Sequence, residues 1–406
     1  MNARPIHAAK FLKGIDYPVN KADLIKRAAQ SGADEHVLAT LEQLPDQTFE
    51  GAFGLSRAVG EIGREERVFA GPRADQGRWE KYAYQSEAGS HDYFVYTPAN
   101  YQTGSAVPLL VMLHGCTEGA EDFAAVTQLN QLADQKQFIV VYPQQARGDN
   151  QEQCWDWFEA SNQSRDSGEP ALLAGITQTV KQNTSRWTID TSRVYVAGLS
   201  AGAAMAVILG VTYPDLFAAI GVHSGLEYEA ATSQQDAFLA MFFRGGSDPM
   251  QQGQLAYHAM DSVARVVPTI VFHGTNDHIV KLVNGDQVIR QWMETDRLAS
   301  QGTYTADFRK PSSVMPGQVP GGRSYTVYTW NDSSGNVVQA YWKVDGMDHA
   351  WSGGSQGKPF SDPHGPNASL AMYQFFLAHP LRESEASARS IPLADESRQQ
   401  YVAFPR

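Results

Sequence analysis

The segment best suited to chemistry is residues 198–202, GLSAG, in which a serine stands between two glycines. The short run RVYVA before it is typical of a buried strand, and the small apolar residues after it are typical of a helix. A serine at such a corner predicts a nucleophile elbow, a strained turn that lifts the hydroxyl clear of the sheet. The start of the next helix offers N–H groups to a developing oxyanion. We therefore expect Ser200 to be a nucleophile and the amide of Ala201 to be an oxyanion donor.

A serine hydroxyl is a poor nucleophile at neutral pH and needs a base, together with a group that orients the base. Asp277 is the candidate for the orienting acid, because it follows the apolar strand 269–272 and so lies at the carboxyl edge of a sheet. An aspartate in such a loop is usually a solvated turn residue. Its position after Ser200 fits the order serine, acid, histidine of α/β-hydrolases. Asp286 is a weaker alternative.

Eleven histidines compete for the role of base. His349 is favoured, since it stands in the loop 345–354 after a predicted strand and lies beyond the acid in the chain. Asp348 is its neighbour, but a sequence neighbour rarely aims its carboxylate at the adjacent ring. His273, His278 and His364 remain alternatives.

A second oxyanion donor is expected in residues 113–116, LHGC, which follow another apolar strand. α/β-Hydrolases place their second donor loop at this point. The backbone N–H of Cys116 is the candidate, and His114 is expected to hold the loop by hydrogen bonding.

The elements that must position these residues alternate along the chain. Continuous apolar runs predict strands that are covered on both faces, and helical stretches lie between them, so we predict an α/β protein with a mostly parallel, doubly wound sheet. A late hairpin is predicted from two strands that flank residues 331–336. The strand runs are 107–113, 138–143, 217–222 and 269–272, and the main helices are 122–135 and 171–184.

The N-terminal segment, residues 15–62, has a different pattern and predicts a small all-helical domain. Asn20 is a plausible N-cap for a helix over 21–28. A second amphipathic helix is predicted over 34–44, and a third short one over 55–62. The segment resembles a small bacterial domain of unknown function, which suggests a packing appendage or a site where another protein docks. Residues 63–78 are predicted as a linker, 79–381 as the main domain and 382–406 as a loose polar tail.

Composition excludes several classes of partner. The 406 residues are 42% hydrophobic and 19% charged, with a net charge of −12, so a sizeable core is expected and nucleic acid or an anionic membrane is not. No apolar run approaches the ~20 residues that span a bilayer. Residues 1–7 lack an apolar signal segment, which favours a cytoplasmic location. No metal-ligand motif is present. The two cysteines, Cys116 and Cys154, are compatible with one disulfide or with two buried thiols.

Taken together, the main domain resembles the polyhydroxybutyrate depolymerase family of esterases, relatives of feruloyl and acetylxylan esterases. The resemblance implies an α/β-hydrolase fold, a Ser200–His349–Asp277 triad, a backbone donor at Cys116 and no cofactor. It also suggests that Trp155 lines the substrate groove, although a core tryptophan that anchors its loop is the alternative. The family is usually extracellular, in conflict with the location favoured above. The matching stretches are 113–116, 142–144, 154–158, 193–202, 222–225 and 346–354.

These observations predict a serine esterase that acts through an acyl-enzyme on poly(3-hydroxybutyrate)-type polyesters, their oligomers or short-chain esters. A feruloyl or acetylxylan esterase is the first alternative. The same fold also supports peptidase or thioesterase chemistry. A non-catalytic binding protein is a further alternative, and an ordered triad argues against it.

Overall fold

The computed structural model describes residues 19–33, 35–44, 46–49, 77–145 and 152–382. Its N-terminal part contains helices α1 (Lys21–Gln30) and α2 (Glu35–Glu42). The side chain of Asn20 caps α1 by accepting a hydrogen bond from the backbone N–H of Asp23 at 2.9 Å. Apolar residues of the two helices and of the segments beside them form a small core, which contains Val19, Leu24, Ala28, Val37, Leu41, Leu44 and Phe49.

Two very short strands accompany these helices. β1 (Val19–Asn20) pairs antiparallel with β2 (Thr48–Phe49), an addition to the helices predicted for this segment. The helix predicted over 55–62 lies outside the described residues, as do nearly all of the predicted linker and tail.

The main domain is built on a ten-stranded sheet with the order β10-β11-β12-β9-β8-β7-β5-β6-β4-β3. The six strands from β12 to β6 run parallel, and antiparallel strands extend the sheet at both edges. The strands are β3 (Arg78–Ser86), β4 (Gly89–Thr97), β5 (Val107–Leu113), β6 (Ile139–Gln144), β7 (Ile189–Leu199), β8 (Ile220–His223), β9 (Thr269–Gly274), β10 (Ser313–Gln318), β11 (Ser324–Asn331) and β12 (Val337–Val344). The predicted mostly parallel α/β fold is confirmed.

Helices cover both faces of this sheet. Successive residues of a central strand point to opposite faces, and the residues on both faces are apolar. Along β5, Leu109 and Val111 belong to one buried cluster, whereas Leu110 and Met112 belong to the other. The helices of the first cluster are α5 (Gly168–Gln182), α6 (Ala201–Thr212), α8 (Pro249–Met260) and α9 (Leu282–Ala299). Those of the second are α3 (Ala120–Thr127), α4 (Leu129–Lys136) and α10 (Ala368–Leu377).

Shorter elements complete the main domain. α7 (Gln234–Leu239) continues into a π-helical turn (Ala240–Arg244) after β8. Single 3₁₀ turns occur at Ala160–Asn162 and Asp261–Val263. A two-residue strand β13 (Trp351–Ser352) pairs with β14 (Ser361–Asp362) just beyond the loop that carries His349.

One predicted helix is interrupted in the structure. The stretch predicted as a single helix over 122–135 is two helices, α3 and α4, because Gln128 adopts a left-handed conformation with φ 56°. Its N–H still bonds to the carbonyl of Ala124, which closes α3 before α4 begins.

Candidate active site

Ser200 occupies the sharp turn between β7 and α6. Its backbone has φ 58° and ψ −121°, a conformation that is strained for a residue with a side chain. The turn is held because the N–H of Ser200 donates to the carbonyl of His223 at 3.0 Å, while the carbonyl of Ser200 accepts from Ala203 and Ala204. The predicted strand–turn–helix context is therefore present around the serine.

The glycines that flank this serine are required by close packing. A Cβ added at Gly202 would overlap the carbonyl oxygens of Leu113 and His114, and one at Gly198 would overlap Gly202 itself. The elbow consequently packs directly against the backbone of the 113–116 loop, with a Cβ at Gly115 falling 3.5 Å from the Cβ of Ser200. This contact brings the two expected oxyanion amides, those of Cys116 and Ala201, to the same end of the sheet.

The predicted acid and base meet in space. Nδ1 of His349 lies 2.8 Å from Oδ2 of Asp277, and the side chains of both residues are buried. The other carboxylate oxygen, Oδ1, accepts hydrogen bonds from the N–H groups of Ile279 at 3.0 Å and Val280 at 2.8 Å. Three hydrogen bonds therefore hold the carboxylate of Asp277. The Nε2 atom of His349 takes no part in them.

The electrostatics of this pair favour an ionised carboxylate. Burial alone raises the pKa of a carboxylic acid, but His349, His273 and the N–H of Val280 outweigh it and hold the pKa of Asp277 below its ordinary value. The ring of His273 lies 3.6 Å from Oδ2 of Asp277, and its Nε2 hydrogen-bonds the carbonyl of Val280 at 2.7 Å. Burial lowers the pKa of His273, and the nearby carboxylate of Asp277 opposes that shift.

The other candidate acids and bases have different partners from those of Asp277 and His349. Asp286 lies 2.8 Å from the ammonium of Lys343, in an ion pair of its own. Asp348 accepts the backbone N–H of His349 at 2.7 Å and lies 3.5 Å from Nδ1 of His278. His364 is exposed in the turn after β14, where its carbonyl accepts from the N–H of Arg323. Of these candidates, His349 is the one that hydrogen-bonds Asp277.

The loop that carries Cys116 is anchored from several sides. Cys116 and Cys154 form a disulfide, which settles the alternative that the sequence left open. His114 is buried, and burial lowers its pKa to about 4, so its ring is neutral. Its Nδ1 donates to the carbonyl of Gly115 at 2.8 Å, and its Nε2 accepts from the N–H of Gln145 at 3.1 Å. The N–H of Gly115 donates to Oε2 of the buried Glu118 at 3.0 Å, so a carboxyl group and a neutral imidazole hold the loop together.

Trp155 does not line a groove, so this expectation requires correction. Its side chain has no exposed surface, and its Nε1–H donates to the carbonyl of His114 at 3.0 Å. The ring packs against the rings of His91 and His114. A fully buried indole cannot contact a substrate, and its role in this structure is to hold the 113–116 loop.

His223 ends β8 and contacts the serine turn, a role that was not predicted although the short motif HSG at residues 223–225 marks its place in the sequence. Its carbonyl accepts from Ser200, and its Nε2 accepts the N–H of Ser352 at 3.0 Å. The ring stacks on Trp351, with ring centroids 4.9 Å apart. His223 thus ties the serine turn to the segment that follows His349.

The sequence profile described as esterase PHB depolymerase matches residues 91–308, slightly more than half of the chain. The chain belongs to the esterase PHB depolymerase family. The chain is 35% identical over 210 residues to the poly(3-hydroxyalkanoate) depolymerase C of Paucimonas lemoignei, a match that covers 52% of this chain and 49% of that relative. It is 29% identical to an acetylxylan esterase of Coprinopsis cinerea, covering 63% of this chain and 68% of the relative. The chain thus spans about half the length of the first relative.

The fold comparison agrees with this membership. An acetyl xylan esterase from Aspergillus awamori superposes with a TM-score of 0.54 at 22% identity, covering 66% of this chain and 94% of that one. This superposition supports the α/β-hydrolase fold of the chain, and the sequence profile places the chain in a family of esterases. A second profile, of a protein of unknown function (DUF2795), matches residues 3–52.

Within the part of the chain that the structure describes, none of the helices is long and apolar enough to cross a membrane. Within the same residues, no group of three or more histidine, cysteine, aspartate or glutamate side chains is arranged to hold a metal ion.

Proposed function

We propose that the esterase hydrolyses carboxylic esters through an acyl-enzyme on Ser200, with His349 as base and Asp277 as the residue that orients it. The observation that carries the proposal is the 2.8 Å hydrogen bond between Asp277 and Nδ1 of His349, two residues 72 positions apart in the chain. That bond fixes the tautomer that leaves Nε2 free to accept a proton. The strained turn at Ser200 supports the same assignment.

The chemistry proceeds in two halves. In the first, Oγ of Ser200 attacks the ester carbonyl while His349 takes its proton, and the amides of Cys116 and Ala201 stabilise the oxyanion. The tetrahedral intermediate then collapses, and the alcohol leaves with the proton from His349. In the second half, His349 takes a proton from water as the water oxygen attacks the acyl group. The second tetrahedral intermediate then collapses, His349 returns the proton to Oγ of Ser200, and the acid is released.

The proposed substrates are short 3-hydroxyacyl esters, either as soluble oligomers or at chain ends of a polyester. The depolymerase relative from Paucimonas lemoignei supports this choice, since it has the higher identity of the two relatives described. Acetylxylan or feruloyl esters are the second candidates, because relatives that carry those names match at 29% identity.

The test compares initial hydrolysis rates on soluble 3-hydroxybutyrate oligomers, methyl ferulate and acetylated xylo-oligosaccharides, with Ser200→Ala as the blank. We expect the oligomers to be cleaved fastest and Ser200→Ala to be inactive on every ester. A faster rate on methyl ferulate or on acetylated sugars would identify those esters, instead of hydroxyacyl oligomers, as the preferred substrates. A Ser200→Ala variant with near-normal turnover would overturn the proposed mechanism.

A further inference from the structure

A pocket of about 310 Å³ opens on the loop that carries Asp277, and Asp277 itself forms part of its lining. Its volume lies at the lower end of the range for small-molecule sites. One side of the pocket is apolar and accessible, since Phe243 is 49% and Val283 38% exposed, and Leu282 lies beside them. Exposed apolar side chains of this size, next to candidate catalytic residues, suit a short alkyl chain.

The pocket also carries an unneutralised positive charge. Lys281 is half-buried in its lining, and within the described part of the chain its ammonium forms no ion pair. Asp277 adds no accessible negative charge, because its side chain has no exposed surface. His278 already lies 3.5 Å from the carboxylate of Asp348. A cation without a counter-ion in a pocket attracts an anionic group at short range.

The backbone of Lys281 is held in place on both sides. Its N–H donates to the carbonyl of Met241 at 2.9 Å, in the π-helical turn that also carries Phe243. The side-chain amide of Asn284 donates to the carbonyls of Ala240 at 3.0 Å and Lys281 at 3.1 Å. These hydrogen bonds join the backbone of Lys281 to the turn that carries Phe243, so the base of the lysine side chain and the apolar wall have a fixed spacing.

We propose that this pocket binds the free carboxylate end of a hydroxyacyl oligomer, with Lys281 as the residue that recognises the carboxylate. The inference rests on the proposed function and names the form of its substrate. Each unit of such an oligomer carries a short alkyl branch that fits the apolar wall. The acid end carries the negative charge that can pair with the ammonium of Lys281. An oligomer capped as a methyl ester has the same length and branches without that charge.

The experiment measures kcat/KM for a 3-hydroxybutyrate trimer as the free acid and as its methyl ester. We expect the wild-type esterase to prefer the free acid, and Lys281→Gln to lower the acid-to-ester ratio about tenfold, with Lys281→Arg restoring most of it. The preference is also expected to weaken at high salt. Lys310→Gln is the matched control, because it removes one positive charge from an exposed position away from the pocket.

The subsite is tested separately from the chemistry by calorimetric binding of the uncleaved trimers to Ser200→Ala. Tighter binding of the free acid, lost in Ser200→Ala combined with Lys281→Gln, supports the proposal even where turnover is slow. Equal affinity for acid and methyl ester, or a ratio in Lys281→Gln that matches Lys310→Gln, would overturn it. Failure of the proposed function has a different signature, namely hydrolysis by Ser200→Ala or none of these trimers cleaved by wild type.

Discussion

Asp277 accepts a 2.8 Å hydrogen bond from Nδ1 of His349, and two backbone N–H groups hold its second carboxylate oxygen. This contact decides between the acids of the region, because Asp286 pairs with Lys343 instead. The carboxylate is therefore the group whose replacement most directly tests the orientation of the base.

Asp277→Asn is expected to lower kcat by about 10³ to 10⁴ with little change in KM. An amide presents a donor where Nδ1–H of His349 needs an acceptor, so it favours the wrong tautomer of the ring. Steady-state kinetics on a chromogenic short-chain ester measure the effect. Asp286→Asn is the control and should stay near wild type. A larger loss in Asp286→Asn than in Asp277→Asn would move the acid to that residue.

Trp155→Phe tests the corrected role of this residue. Phenylalanine keeps the burial and loses the hydrogen bond to the carbonyl of His114, which costs about 1 kcal/mol of unfolding free energy and loosens the oxyanion loop. We expect kcat to fall while KM stays constant across oligomers of increasing length. Trp187→Phe is the matched control, since its Nε1–H bonds Thr97 instead. It should lose stability without losing kcat. A KM that rises with oligomer length in Trp155→Phe would return this residue to the substrate groove.

The disulfide is expected to stabilise the fold and the site together. Cys116 and Cys154 close a loop across 38 positions, worth about 4 kcal/mol of unfolding free energy in the chain-entropy model. Cys116→Ser combined with Cys154→Ser should lower the denaturation midpoint and kcat. Chemical unfolding with and without reductant provides the measurement. Reductant should destabilise wild type and leave the double variant unchanged; an equal response in both would contradict the account.

The buried carboxyl group of Glu227 is expected to make the free energy of unfolding depend on pH. Its carboxylate oxygens are buried without a hydrogen-bond partner among the described residues, and burial raises its pKa to about 9. An acid whose folded-state pKa is raised gives stability that is complete below its unfolded value near 4.5 and is lost as pH rises towards 9. Between pH 5 and pH 7 the loss is about 3 kcal/mol.

Glu227→Gln should therefore be more stable than wild type at pH 8 and lose that advantage as the pH falls towards 5. Urea unfolding across this range measures the difference, with Glu159→Gln as an exposed control that should follow wild type. A constant difference between Glu227→Gln and wild type across the range would show that this carboxyl titrates normally.

Patterns in the sequence predict the central strands and the order of the site residues, because both depend on local rules. Apolar runs identify β5 and β9 without further information. The break at Gln128 was not predictable, since glutamine carries no signal for a left-handed backbone. The burial of Trp155 depends on how its loop folds back on residues 113–116, and a motif alone cannot report that contact. The pairing of Cys116 with Cys154 was likewise not predictable, because it depends on how closely the two residues approach each other in the folded chain.

The most direct measurement of the central claim is mass spectrometric mapping of the esterase after reaction with a serine-directed alkyl phosphonate. We expect one adduct, on the peptide that contains Ser200, with complete loss of esterase activity. We also expect Asp277→Asn and a His349→Ala variant to be labelled far more slowly than wild type. A fully active enzyme after treatment, or an adduct on a different residue, would contradict the assignment of Ser200 as the nucleophile.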